Sequence, residues 1–175
     1  YRERPDFPGV HSGSSEANQI IIRGNSSKGL LWRIEGMEAY TPNHFAQEGA
    51  SYGGISIITR TVLANSDFST GSFAPEYGNA LSGVFDIRLR KGNPDKHEFG
   101  LQAGTLGVEA VAEGPLSKKS GASYLMKYRY SSLALASKAG ILEFAPFYQD
   151  LIFNLNVPTS KAGTFTFYGI GGDGT

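Results

Sequence analysis

The sequence contains no cysteine. That absence removes disulfide staples, zinc ribbons and thiol catalysis together, and leaves the compartment open because exported proteins can also lack cysteine. No apolar run approaches the roughly 18 residues of a spanning helix, and the mean hydropathy of -0.22 agrees. A membrane β-strand survives this exclusion, since it needs only about 10 alternating residues, half of them polar. Charge of one sign is not in excess either. Sixteen basic and sixteen acidic residues give no electrostatic argument for nucleic acid or for an anionic membrane surface. The chain starts at Tyr1 with neither initiator methionine nor signal peptide, and so reads as processed or excerpted.

Catalytic constellations are missing as well. His44 and Glu48 stand four apart, but the Gly and Pro around them oppose the helix that would align them as metal ligands. A solvated or ligand-facing loop is the better account. His11 and His97 lie in turn-rich stretches without partners, and there is no Gly-x-Ser-x-Gly elbow. The glycines near Tyr77 lack the Gly-Lys-Ser or Gly-Lys-Thr of a phosphate loop. These residues predict neither an enzyme nor a metal or cofactor site. A glycosylation-type tripeptide, Asn25-Ser26-Ser27, is common by chance.

What the chain does have is glycine and aromatics, 23 glycines and 12% aromatic residues, a composition that favours β structure. The organising stretch is Pro75 to Gly92. Its first half, with Gly78, Ala80 and Gly83, suits a sharp turn or a close backbone approach. Its second half alternates Val84, Asp86 and Arg88 with Phe85, Ile87 and Leu89, which predicts a half-buried strand. Upstream, Tyr1 to Ser15 reads as an irregular lead-in. Strands are predicted at Asn18 to Gly24 and Leu30 to Ile34, forming a hairpin-like pair. Met37 to Gly54 reads as a long irregular segment, Ile55 to Ala64 as strand into turn, and Asp67 to Gly71 as a short strand.

After the turn at Gly92 to Lys96 five alternating segments follow: Glu98 to Gly104, Val108 to Glu113, Ala122 to Tyr130, Tyr148 to Val157 and Thr164 to Ile170. They predict one antiparallel meander. Pro115 to Gly121 and Pro158 to Gly163 read as tight turns, Ser131 to Pro146 as a long loop. A Lys or Arg facing lipid at mid-depth costs about 2 to 4 kcal/mol, so Lys127 and Arg129 point to a wet side and Tyr124, Met126, Tyr128 and Tyr130 to a lipid side. Five strands do not close a barrel, because the smallest use about 8.

The tract Tyr77-Gly78 to Gly83 feeding a strand resembles the signature that ends the plug domain of TonB-dependent outer-membrane receptors. Three further elements resemble that family in its order: Phe7-Pro8-Gly9-Val10, Ile20-Ile21-Ile22-Arg23-Gly24, and Arg33-Ile34-Glu35-Gly36. The resemblance covers nearly the whole chain and is closest to the Bacteroidota branch. Glu35 stands where the family has Asp, Ser82 where a Gly-Gly pair is common, and Arg88-Leu89-Arg90 where it ends in Thr-Lys.

The resemblance implies an α+β plug domain over 1–96, with a small mixed sheet and loops. It also implies that 97–175 are the first antiparallel transmembrane strands of a larger β-barrel. It implies a bacterial outer-membrane location with the plug in the barrel lumen and a periplasmic amino terminus. The implied partners are the TonB complex of the inner membrane, an imported ligand of unread identity, outer-membrane lipid, and a surface lipoprotein or other outer-membrane subunits. No TonB-box-like segment occurs near Tyr1. Plug loops of this kind form the floor of the outer cavity, making Tyr40, His44, Phe45, Tyr52 and Phe73 candidate ligand contacts, with packing at the plug's top as the other account. Arg23 and Glu35 are, on one account, strand-end charges on a solvated surface, where an ion pair contributes about 0 to 1 kcal/mol; on the other, Arg23 or Arg88 faces Glu109 and Glu113 as the arginine to glutamate lock that the resemblance implies. The alternatives in function are a receptor-like barrel serving as a structural or assembly subunit, and a secreted β-rich hydrolase, for which no catalytic pair is present.

Overall fold

A computed structural model describes residues 10–12, 20–22, 29–46, 55–70, 75, 77–78, 80–105, 107–141, 143 and 146–174, the first two of these ranges by their backbone. The chain divides into two compact units, Tyr1–Leu89 and Arg90–Thr175. The sequence-based boundary after Lys96 lies seven residues further on.

In the first unit, β1 (Val10–Ser12) pairs antiparallel with β2 (Ile20–Ile22). A four-stranded mixed sheet comprises β3 (Leu30–Ile34), β4 (Met37–Ala39), β7 (Asp67–Ser69) and β8 (Gly83–Ile87) in the order β4-β3-β8-β7. A further pair joins β5 (Asn43–His44) to β6 (Ile55–Ser56). The hairpin expected between the Ile20 and Leu30 strands does not form. Leu30–Ile34 instead turns back on Met37–Ala39 through Glu35 and Gly36, whose φ values of 52° and 83° give the two-residue turn that matches strand twist. On its other side it runs parallel to Gly83–Ile87.

Parallel pairing places β8 inside the sheet and changes its burial. Val84, Asp86 and Ile87 are buried and Phe85 is partly so, in place of the half-buried strand that the alternation predicts. Strands covered on both faces are the rule for parallel neighbours. Phe85 is stacked between Trp32 and Phe68, with ring centroids 4.5 and 4.3 Å away. No α-helix occurs among the described residues of this unit.

The second unit is a five-stranded antiparallel meander: β9 (Glu98–Ala103), β10 (Val108–Ser117), β11 (Ala122–Tyr130), β12 (Tyr148–Thr159) and β13 (Gly163–Gly174). The sheet is open, with β9 and β13 at its edges. β10 runs past Glu113 through Pro115, which the sequence assigns to a turn. The register shifts between Pro115 and Ser117, the kind of irregularity at which a strand tolerates proline. The predicted loop after β11 contains a helix, α1 (Ser132–Lys138). Ser131 caps it: its hydroxyl accepts from the Ala134 amide at 3.2 Å and donates to the Pro146 carbonyl at 2.9 Å. Gly140, at φ 73°, ends it with the left-handed residue that helix termini favour.

Candidate functional site

Alternation along each strand of the second unit sorts the sheet into two faces of opposite character. Across one run Leu101–Ala110–Tyr128–Leu151 and Phe99–Ala112–Met126–Phe153, ending at Leu155 beside Phe167 and Val157 beside Phe165. This apolar face is the open one, with Phe99 and Leu101 78% and 79% exposed. Across the other run Gln102–Glu109–Arg129–Asp150 and Ser123–Asn156–Thr166, and here Glu109, Lys127, Arg129, Asp150, Asn154 and Asn156 are buried together with Leu125 and Ile152. A sheet with one face in water ordinarily buries its apolar side chains and exposes its charges, whereas here the charges are buried and most of the large apolar side chains are open.

The buried face is organised around Asp150. One carboxylate oxygen takes the ammonium of Lys127, and the other accepts from Arg129 Nε at 2.9 Å and Nη2 at 2.6 Å. Glu109 Oε2 lies 3.8 Å from the Lys127 ammonium, so two cations meet two carboxylates. The Arg129 guanidinium also lies over the Tyr148 ring, 5.3 Å from its centroid. Lys127 is fully buried, and charges this far from water persist only when paired and hydrogen-bonded.

A second cluster fastens the segment that opens this unit. Arg90 donates twice to Glu113, at 3.1 and 2.7 Å, and the Asn93 amide donates to the same carboxylate at 3.0 Å. Asn154 donates to the Arg90 carbonyl at 3.1 Å, and Asn93 Nδ2 to Glu98 at 2.7 Å. Asn93 Oδ1 also caps the turn by accepting from the Asp95 and Lys96 amides. Gly92 lies so close to the Tyr124 carbonyl that a Cβ would overlap it. Residues 90–97 are therefore clasped to β10, β11 and β12. Beyond the clasp the exposed Lys96 ammonium sits 2.9 Å from Glu98, whose hydrogen bond and charge hold the lysine protonated above its ordinary range.

Among the predicted site residues, Glu109 and Glu113 share the buried face, four residues apart on one strand, and meet Lys127 and Arg90 respectively. Arg88 pairs with Asp86 at 3.0 Å. Arg23, Gly24, Tyr52 and Phe73 lie outside the described residues. Glu35 is tied to β8: its amide donates to the Ile87 carbonyl at 2.9 Å and its carboxylate accepts from the Leu89 amide at 2.5 Å. Tyr77 lies under the Arg33 guanidinium at 4.9 Å, and Gly83 opens β8. The space beside Gly78 is open, and the close backbone approach falls at Gly29, where a Cβ would stand 2.8 Å from that of Leu81.

Tyr40 and Phe45 are 61% and 43% exposed, whereas His44 is buried. Phe45 has φ 57°, an outlier for a bulky side chain. Sequence reasoning names none of Arg90, Lys127 and Asp150 as a site residue, although the alternation of β11 already puts Lys127 on the wet side. No group of three or more potential metal-ligating side chains occurs among the described residues.

No protein family matches the sequence, and no curated protein does. Among solved structures the chain is similar to a ferric enterobactin receptor, crystallised in complex with BCV-L6, with a TM-score of 0.58 and 18% identity. The likeness is one of fold. It covers 95% of this chain, and the chain spans 29% of that receptor.

Proposed function

We propose that the chain is the plug and the first five barrel strands of a TonB-dependent outer-membrane receptor of the Bacteroidota type, which binds a ligand outside the cell and gates its import. The observation that carries this is the inverted sheet, with its charges buried and its Phe, Leu and Met side chains open. Water penalises such a surface by about 25 cal/mol per Å² of exposed apolar area, and lipid removes the penalty. The short turns belong at the periplasmic end and the α1 connection at the outer end, as in barrels of this kind. The fold likeness to a receptor supports the same reading.

In this reading the chain does no covalent chemistry and works as a gate. Residues before Arg90 form the element that energised TonB displaces, and the clasp of Arg90 and Asn93 on Glu113 marks where displacement stops. Tyr40 and Phe45, both exposed, are the candidate ligand contacts, joined from the sequence alone by Tyr52 and Phe73, while His44 is buried and is the weaker candidate. Arg23 and Arg88 remain candidates for charge contacts with the barrel wall. Surface lipoproteins and other outer-membrane subunits are candidate partners on the outside.

The test is to express the full-length protein, extract it from outer membranes, and compare its gel mobility with and without boiling. A closed barrel migrates differently before boiling. A protein that stays in solution without detergent and shows no shift refutes the reading.

A further inference from the structure

The neutral charge of the whole sequence hides an asymmetry between the two ends of the five-stranded sheet. The turns 118–121 and 160–162 lie at one end, side by side, with Pro158 Cγ 3.9 Å from where a Cβ on Gly121 would stand. They carry Lys118, Lys119 and Lys161, all exposed. No acidic residue occurs from Gly114 to Gly121 or from Val157 to Gly172. Of the carboxylates at this end Glu113 is engaged by Arg90 and Glu98 by Lys96, and the exposed Asp95 leaves the three turn lysines in excess. At the opposite end Lys138 stands with Glu143 and Asp173, and its ammonium is bonded to the Tyr130 hydroxyl at 2.7 Å.

The apolar face continues to the lysine-bearing turns. Leu116 and Phe165 are 54% and 60% exposed, and His97 Nδ1 lies 3.1 Å from the Tyr124 hydroxyl, giving a polar and aromatic pair between the apolar band and the cations. Apolar side chains, then amphipathic rings, then ammonium groups is the depth order of a leaflet: acyl chain, interface, headgroup phosphate.

We propose that the turns 118–121 and 160–162 form a docking rim for the headgroups of anionic phospholipids in the leaflet at the short-turn end. This rests on the membrane reading of the sheet. Lysines near an anionic surface each add a small increment, and three together amount to about 100-fold in affinity.

The test uses the full-length protein in neutral detergent, with retention of phosphatidylglycerol and of phosphatidylcholine with matched acyl chains measured by native mass spectrometry. The expected result is that phosphatidylglycerol is preferred, and that K118A/K119A/K161A lowers its apparent affinity about 100-fold while leaving phosphatidylcholine unchanged. The triple arginine variant keeps the preference, and inorganic phosphate does not compete. An unchanged ratio in the alanine variant overturns the proposal, as does competition by inorganic phosphate at the lipid's own concentration. Boiling the same samples separates two failures. A heat-shifting protein indifferent to phosphatidylglycerol overturns the rim alone, whereas no shift and retention of neither lipid overturn the membrane reading beneath it.

Discussion

Glu113 accepts three hydrogen bonds from Arg90 and Asn93, and bonds to a charged group contribute about 1.5 to 3 kcal/mol each at best. The Arg90 side chain is 42% exposed, so solvent screening brings the loss in Glu113→Gln to about 1 to 2 kcal/mol. Hydrogen exchange at the amides of 91–93 is expected to accelerate in that variant while β11 stays protected; equal rates in both proteins count against the clasp. Asp150→Asn strips the charge from the carboxylate shared by Lys127 and Arg129, and breaking a buried pair from one side costs about 3 to 5 kcal/mol. The thermal midpoint of the full-length protein is expected to fall markedly, and less so in Glu109→Gln, where the ammonium is 3.8 Å away. That Glu109 and Glu113 share one face of their strand was legible, because alternation alone decides that. Arg90 as the partner was not: regular strand geometry ends at Ile87, and past a strand's end parity no longer says where a side chain points.

At the scale of elements, β11 is the most legible stretch, predicted and observed over Ala122–Tyr130. The two faces of the sheet it belongs to make opposite predictions for a lysine, one at Met126 on β11 and one at Gln102 on β9. Met126→Lys puts a cation on the apolar face and is expected to cost about 2 to 4 kcal/mol if that face meets lipid. Gln102→Lys, on the polar row, is expected to be within about 0.5 kcal/mol of the parent. Urea-induced unfolding in lipid vesicles measures both, and equal costs would argue against an apolar face in lipid. In the first unit, Phe85→Ala empties the stack between Trp32 and Phe68 and is expected to cost about 3 to 5 kcal/mol, read as a lower unfolding midpoint for that unit. The parallel pairing of β3 with β8 was hidden because it joins segments more than fifty residues apart through strands of five residues. Helix α1 was hidden for a different reason. Seven residues are too few for a periodic signal, and the helix is held by the Ser131 cap and its bond to Pro146.

For the whole molecule, the change from short irregular strands to long alternating ones near Gly92 was legible in the sequence, whereas the clasp that ties 90–97 to β10, β11 and β12 was not, because it is built from side chains distant in sequence. One consequence of the inverted sheet concerns delivery. Along β11 polar residues interrupt the apolar ones, the longest unbroken stretch being Tyr124-Leu125-Met126, with Lys127 and Arg129 inside the same nine residues. Machinery that sorts nascent segments by summed hydrophobicity charges about 2.5 to 3.5 kcal/mol for each central Lys or Arg, and would let this one pass. The greasy surface exists only once neighbouring strands are in register, so in the membrane reading proposed above the destination is written in the assembled sheet and concealed from anything that reads the polypeptide piece by piece.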